Sequence, residues 1–393
     1  MVDTVPAVPE SDINPFRFDR AEMAGALGDL GVLIPIAVAL IVKNGLTPTA
    51  VLLPAGLLYM VAGVIYRLPV PVQPLKAFGA IAIAHGFGAD DIAAGALLMG
   101  FLFLVLGASG LLDWVAKVFP HAIIRGIQLS VGLLFCQLAW RLVSVPPTSF
   151  TDHRHSIWWL AGFTAAVIAV ALLLRRRRIT LLFIAVAVVA MALSFHGSFT
   201  WGPSAVHVPH LSTHAFAAAA VALVLPQVPL SFANSCLATA DTARTYFGDA
   251  ARRVRPGRLA TTIGLANLFA GSISGMPVCH GAGGMTAHRT FGARSGGAPI
   301  MLGGILIALA LGIGATLAAA LSGFPLPILA GLLTVAGLLH IMLLTDLRGF
   351  WQWATAIAVG VTGFLSNLAV ALVGALVIWW LVDVIRNGRS RHE

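Results

Sequence analysis

The 393 residues are 59% hydrophobic and 10% charged, with a mean hydropathy of +0.93. Ordinary soluble domains carry roughly a quarter charged residues, so a soluble globular fold is excluded, and the lack of strand-period alternation speaks against a β-barrel. The net charge of +9 fits basic loops on one side of a bilayer better than nucleic-acid binding. The three cysteines, Cys136, Cys236 and Cys279, lie in or beside apolar stretches and read as small buried side chains, not as a disulfide framework or metal site.

Residues 1–19 form a polar, acidic tail without a signal-peptide pattern. About fourteen membrane segments follow: residues 24–42, 49–66, 74–87, 92–112, 121–141, 158–174 and 179–195 make the first seven. After a polar connection, 197–214, the second seven are 215–242, 259–272, a short piece after His280, 299–321, 328–344, 350–365 and 368–384. The eighth reads as interrupted by Pro226-Gln227-Val228-Pro229. With the N-terminus inside, Arg175–Arg178 and the arginines at 252–258, among others, fall on the cytoplasmic side, while Lys43, Arg141 and Arg154 fall outside. The positive-inside rule then places both termini in the cytoplasm of a multi-pass protein of the cytoplasmic membrane.

Two stretches stand apart. Leu68-Pro69-Val70-Pro71-Val72-Gln73-Pro74 precedes the short third segment, and Gly271–Gly297, with Met276-Pro277-Val278-Cys279-His280, precedes the short tenth. Pro71-Val72-Gln73 and Pro277-Val278-Cys279 align 206 positions apart. Short, Pro/Gly-interrupted segments in matching places of two halves point to a transporter site. The expected fold is therefore an all-α polytopic membrane protein, a 7+7 inverted repeat with two half-helices meeting at the midplane. Non-helical backbone survives at that depth only where it lines a cavity or is buried in protein.

Helix N-termini offer free N–H groups and a positive dipole end to an anion. The expected anion-binding residues are Gln73, Pro74, Leu75 and Lys76 on the first arm, and Cys279, His280, Gly281, Ala282 and Gly283 on the second. Glycine lets an anion approach the backbone, and His280 could donate to an oxyanion. Gln227, Asn234 and Ser235 in the eighth segment add neutral donors; interhelical hydrogen bonding is the plainer account of them. Lys76 suits a dianion or a structural ion pair with Asp29, and Asp29, an intramembrane carboxylate, is the coupling candidate, by proton or by ion pair. The histidines at 153, 155, 207, 210 and 214 lack metal-ligand spacing, so no metal and no cofactor are expected.

Gly25–Ile36 (GALGDLGVLIPI), Pro71–Ala77 (PVQPLKA), Pro226–Ser235 (PQVPLSFANS) and Met276–Gly292 (MPVCHGAGGMTAHRTFG) together resemble the molybdate transporter family, a distant branch of the sulfate permease group. The resemblance implies the fold shared with sulfate and uracil permeases. Residues 21–113 and 215–322 would form the core domain, 114–196 and 323–386 the gate domain, with 197–214 an extracytoplasmic loop and 1–20 and 387–393 cytoplasmic tails. It implies a secondary active transporter of a small oxyanion, molybdate first and sulfate second, in the lipid bilayer, with proton coupling and a homodimer as further expectations. In many proton-coupled relatives of the wider fold the eighth helix carries a carboxylate; here Asn234-Ser235 stands in that region. A nucleobase permease of the same fold is disfavoured by that missing acid. An intramembrane enzyme would need a nucleophile–base pair or metal cluster, which the sequence does not offer, and a channel would not need two broken helices.

Overall fold

The computed structural model describes residues 14–112, 119–148, 150–174 and 179–389, the side chains of Asp29, His153, Thr180 and 383–389 excepted. The arginine run at 175–178 and the Asp29 side chain therefore lie outside the described residues.

The chain is helical almost throughout. In order it forms α1 (Arg20–Ala26), α2 (Leu30–Asn44), α3 (Pro48–Tyr66), the two-residue strand β1 (Gln73–Pro74), α4 (Lys76–His85), α5 (Ala89–Ser109), α6 (His121–Ser144), α7 (Ile157–Leu173) and α8 (Ile179–Ser194). A connection without regular structure leads to α9 (Thr213–Arg253). Then come α10 (Pro256–Ser272), β2 (Val278–Cys279), α11 (Ala282–Thr290), α12 (Gly297–Gly312), α13 (Gly314–Ala320), α14 (Leu326–Met342), α15 (Phe350–Leu365) and α16 (Leu368–Arg389). Five helices among the described residues are long and apolar enough to cross a membrane, and two bent pairs raise that to seven.

Two expectations need correction. The prolines at 226 and 229 do not interrupt the eighth segment: α9 runs for 41 residues. Wide π-turns at Ala220–Val224 and Ser231–Ala238 flank the Leu225–Leu230 stretch that holds both prolines. Proline lacks an N–H and crowds the preceding turn, and a π-bulge absorbs that misfit within a continuous helix. Conversely, the segment expected as one straight span at 299–321 bends by 82° between α12 and α13.

Helices meet in pairs at glycine, where missing side chains bring backbones together. On α3 and α12, a Cβ added at Gly63 would stand 2.5 Å from Gly296 O, and one at Gly303 2.6 Å from Gly56 O. On α5 and α10, a Cβ at Gly107 would stand 2.8 Å from Gly257 O, and one at Gly264 2.9 Å from Gly100 O. In all four helices the glycines are seven residues apart: 56 and 63, 296 and 303, 100 and 107, 257 and 264. Two helical turns separate them, so each helix presents a flat stripe on one face. Gly132 on α6 and Gly337 on α14 repeat the device, each about 2.6–2.7 Å from the other's carbonyl.

The strands join the halves at the centre. β1 pairs antiparallel with β2, Gln73 opposite Cys279 and Pro74 opposite Val278. Each strand is followed by a short helix, so α4 and α11 both begin at this bridge.

Candidate functional site

The bridge is held by side chains from outside it. Asn267, wholly buried on α10, donates through Nδ2 to Val278 O at 2.8 Å and accepts from Val278 N at 2.8 Å. His280 Nδ1 lies 2.9 Å from Pro71 O, and His288 Nδ1 lies 3.2 Å from Pro69 O. A carbonyl only accepts, so both imidazoles donate through Nδ1. The proline-rich stretch gives up N–H groups and keeps its carbonyls, and two histidines eight residues apart on the second arm take two of them.

This arrangement engages both ring nitrogens of His280, against the expectation that it would donate to an anion. Its second nitrogen, Nε2, lies 3.0 Å from Thr262 Oγ1, and Tyr66 packs edge-on to the ring. The ring is fully buried and spends both nitrogens on holding the bridge. Leu75 is likewise spent, since its N–H donates to Pro277 O at 3.1 Å. Pro74 has no N–H and is paired in the bridge.

α4 starts without a side-chain cap of its own, because its N-cap is Leu75. The cap comes from α9: Gln227 Oε1 accepts from Phe78 N at 2.9 Å, and Gln227 Nε2 donates to Ser231 Oγ at 2.9 Å. Gln227 thus closes one of the first-turn amides that every helix leaves open. α11 starts at Gly281, which has no side chain to cap with, and its first helical bond is Met285 N to Gly281 O. The amides of Ala282, Gly283 and Gly284 precede that bond and belong to the open first turn. A Cβ at Gly283 would meet nothing within 4 Å, whereas one at Gly281 would stand 2.4 Å from Gln73 Oε1 and 3.4 Å from Asn234 Nδ2. Gly281 is the point where Gln73 and Asn234 close in on the second arm.

These groups border a cavity of about 380 Å³. At roughly 30 Å³ per water it has room for an anion with part of its hydration shell. Of the expected residues it brings together Gln73, Lys76, Gln227, Asn234, Ser235, Cys279 and Gly283. Pro74, Leu75, His280, Gly281 and Ala282 are not among the lining residues. Gly28, Gly31 and Val32 from the first segment, and Gln128 and His340 from α6 and α14, also line it and were missed; the rest of the lining is apolar, chiefly leucine and valine of α14. Isolated polar residues in long apolar helices were the available signal for Gln128, His340 and Asn267. Among the described lining residues Lys76 is the only lysine or arginine, and no carboxylate is present. Lined by amides, hydroxyls, one ammonium and an open helix start, the cavity offers donors to an anion. No cluster of His, Cys, Asp and Glu that could hold a metal occurs among the described residues.

Comparison with known proteins bears on the family and the fold. The family profile described as "Molybdate transporter of MFS superfamily" matches residues 21–135 and 219–339. Molybdate transporter 1 of Arabidopsis thaliana is 29% identical across 96% of this chain and 91% of its own length. Molybdate transporter 1 of Chlamydomonas reinhardtii is also 29% identical, over 81% of this chain and 82% of its own. Among solved structures, the transmembrane domain of the cyanobacterial bicarbonate transporter BicA superposes with a TM-score of 0.66 at 15% identity, covering 91% of this chain and 98% of that one. Murine Slc26a9, an anion transporter solved in the inward-facing state, gives 0.65 at 15% identity over 93% and 68%. These likenesses show a shared helical membrane-transporter fold.

Proposed function

The chain belongs to the molybdate transporter family, and from that premise we propose that it is a secondary active transporter of a tetrahedral oxyanion, molybdate first, held between the starts of α4 and α11. The observation that carries this reading is the cavity at the bridge, where two helix N-termini, the Gln73 and Asn234 side chains and Lys76 converge without a described carboxylate. Dipoles and neutral donors offset the desolvation of a dianion without holding it too tightly to release. Substrate oxygens would meet the amides of Lys76 and Ala77 and those of Ala282 and Gly283, with Gln73, Asn234 and Ser235 adding donors. His280 and Leu75 serve this site by fixing the bridge. Asp29 stays a proton-coupling or ion-pair candidate by position, beside the cavity-lining Gly28.

We further read the architecture as the 7+7 inverted repeat. Gln73 and Cys279, 206 apart, pair with each other, as residues on a two-fold axis would. Gly132 and Gly337 do the same at α6 and α14, and α3–α12 and α10–α5 repeat one glycine spacing. The five long helices, two bent pairs and four shorter apolar helices, with α4, α10 and α11, make fourteen segments. Residues 21–113 and 215–322 then act as the core, and 114–196 and 323–386 as the gate, in alternating access. Sulfate is the alternative substrate, since it shares the charge and shape of molybdate.

The test is uptake of radiolabelled molybdate into proteoliposomes, with unlabelled molybdate, tungstate and sulfate as competitors. Saturable uptake with counterflow supports a carrier, and linear, non-competed flux would sink it. Sulfate competing as well as molybdate would reassign the substrate and leave the site in place. Cysteine labelling should report residues 197–214 and the termini on opposite sides of the membrane; labelling from one side would break the topology.

A further inference from the structure

The bridge supplies one wall of the cavity; α6 and α14 supply the wall facing it, through Gln128 and His340. His340 is 8% exposed. Its Nδ1 lies 2.9 Å from the carbonyl of Ala336, one turn back. That oxygen can only accept, so Nδ1 carries the hydrogen and Nε2 is the nitrogen left to titrate. Phe135 stands edge-on at 6.0 Å and fixes the plane of the ring. Nε2 has no hydrogen-bond partner among the described residues. The other two buried histidines of this region, His280 and His288, are tied to Pro71 and Pro69, and neither lines the cavity.

A count of charges gives His340 a task. A dianion facing Lys76 alone leaves one negative charge uncompensated in a low-dielectric wall, which is costly. Across an empty cavity a second cation is repelled by Lys76; with a dianion between them, both are attracted to it. The other described charges on this wall cancel one another. Arg125 on α6 binds Asp346, just past α14, through Nε at 2.8 and 3.1 Å and also through Nη2. His121 lies 3.4 Å from the same carboxylate. Arg125 Nη1 donates to Gln128 Oε1 at 2.7 Å, so the NH₂ group is what Gln128 can still offer the cavity.

Resting on the oxyanion-transporter reading, we propose that His340 takes up one proton together with the oxyanion and donates it, as Nε2–H, in a hydrogen bond to an anion oxygen. The proton comes from the solution on the side where the anion enters and leaves with it. The anion then carries its own compensating charge onto α14, and proton coupling belongs to this wall rather than to Asp29.

The experiment adds sodium molybdate to the full chain in detergent and weak buffer between pH 7 and 8, with an indicator dye to count protons. Wild type should take up close to one proton per anion bound, and affinity should fall by up to tenfold per pH unit. His340→Gln should bind more weakly, without proton uptake and with no pH slope in that range. Uptake that persists in His340→Gln overturns the proposal. Should that variant not fold, Asp29→Asn answers from the other side: uptake retained supports His340, and uptake lost overturns it. Wild-type binding without proton uptake removes the role of His340 and leaves the oxyanion site standing. No binding of molybdate, tungstate or sulfate at any pH overturns both.

Discussion

The two arms that meet at the bridge share a geometry and differ in chemistry. The first, β1 with α4, is almost wholly buried and apolar after Lys76, reading Ala77-Phe78-Gly79-Ala80-Ile81. It presents side chains, Gln73 and Lys76, and borrows its cap from Gln227. The second, β2 with α11, follows its strand with Gly281-Ala282-Gly283-Gly284 and carries its polar side chains, Thr286, His288, Arg289 and Thr290, toward the end of the helix. It presents bare backbone, while its histidines reach back to hold the first arm. The antiparallel pairing of β1 with β2 brings the starts of both short helices to the bridge. In the proposed site this asymmetry of side chains would divide the work: one arm would bring charge and directed donors, the other room and open amides.

Substitutions can break that division of labour. Gly281→Val should do most, because its Cβ would stand 2.4 Å from Gln73 Oε1 and push Gln73 and Asn234 out of place. Two hydrogen bonds to a charged ligand, each worth about 1.5–3 kcal/mol, would go, a loss of roughly a hundredfold or more in molybdate affinity by titration calorimetry. Lys76→Met comes next, removing the only described lysine or arginine of the lining. One charged hydrogen bond corresponds to roughly tenfold to a hundredfold weaker binding, with uptake less sensitive to salt. Gln73→Ala should cost about tenfold on the same scale. Gln227→Ala acts on the helix rather than the anion. Loss of the cap on Phe78 should lower stability by about 1 kcal/mol, read as a fall in melting temperature, with a smaller change in affinity. Gly283→Ala is the sharpening case, because nothing lies within 4 Å of the added methyl. Affinity should fall only a few-fold while stability is kept; a loss as large as that of Gly281→Val would mean the two glycines are equivalent. Arg255→Ala, exposed and bound locally to Arg252 O, should leave affinity unchanged.

Much of this was written in local sequence. The repeated Pro-Val motif marked both arms, and Gln73, Lys76, Asn234, Ser235 and Gly283 were found because they lie in or beside glycine and proline signals. The direction in which a side chain turns is a tertiary matter. His280 looked like a donor beside a glycine run, yet the proline carbonyl across the bridge claims it. Gln128 and His340 sit in long apolar helices with no local signal beyond their polarity, and only packing brings them to the cavity. The bend at Ile313 also involves a distant neighbour, since Gly202 N donates to Gly312 O and Gly202 O accepts from Ala315 N. By contrast, the seven-residue glycine spacings of α3, α5, α10 and α12 were legible and went unread. They follow from the need for close backbone contact and mark two helix pairs, α3 with α12 and α5 with α10.

The place of the anion can be read from a structure with tungstate, because tungsten scatters strongly enough to be located by anomalous diffraction. One peak is expected between the starts of α4 and α11, within hydrogen-bond reach of Gln73 and the Ala282–Gly283 amides, near Lys76. A peak at the Arg252–Arg258 loop, with none at the bridge, would contradict this placement.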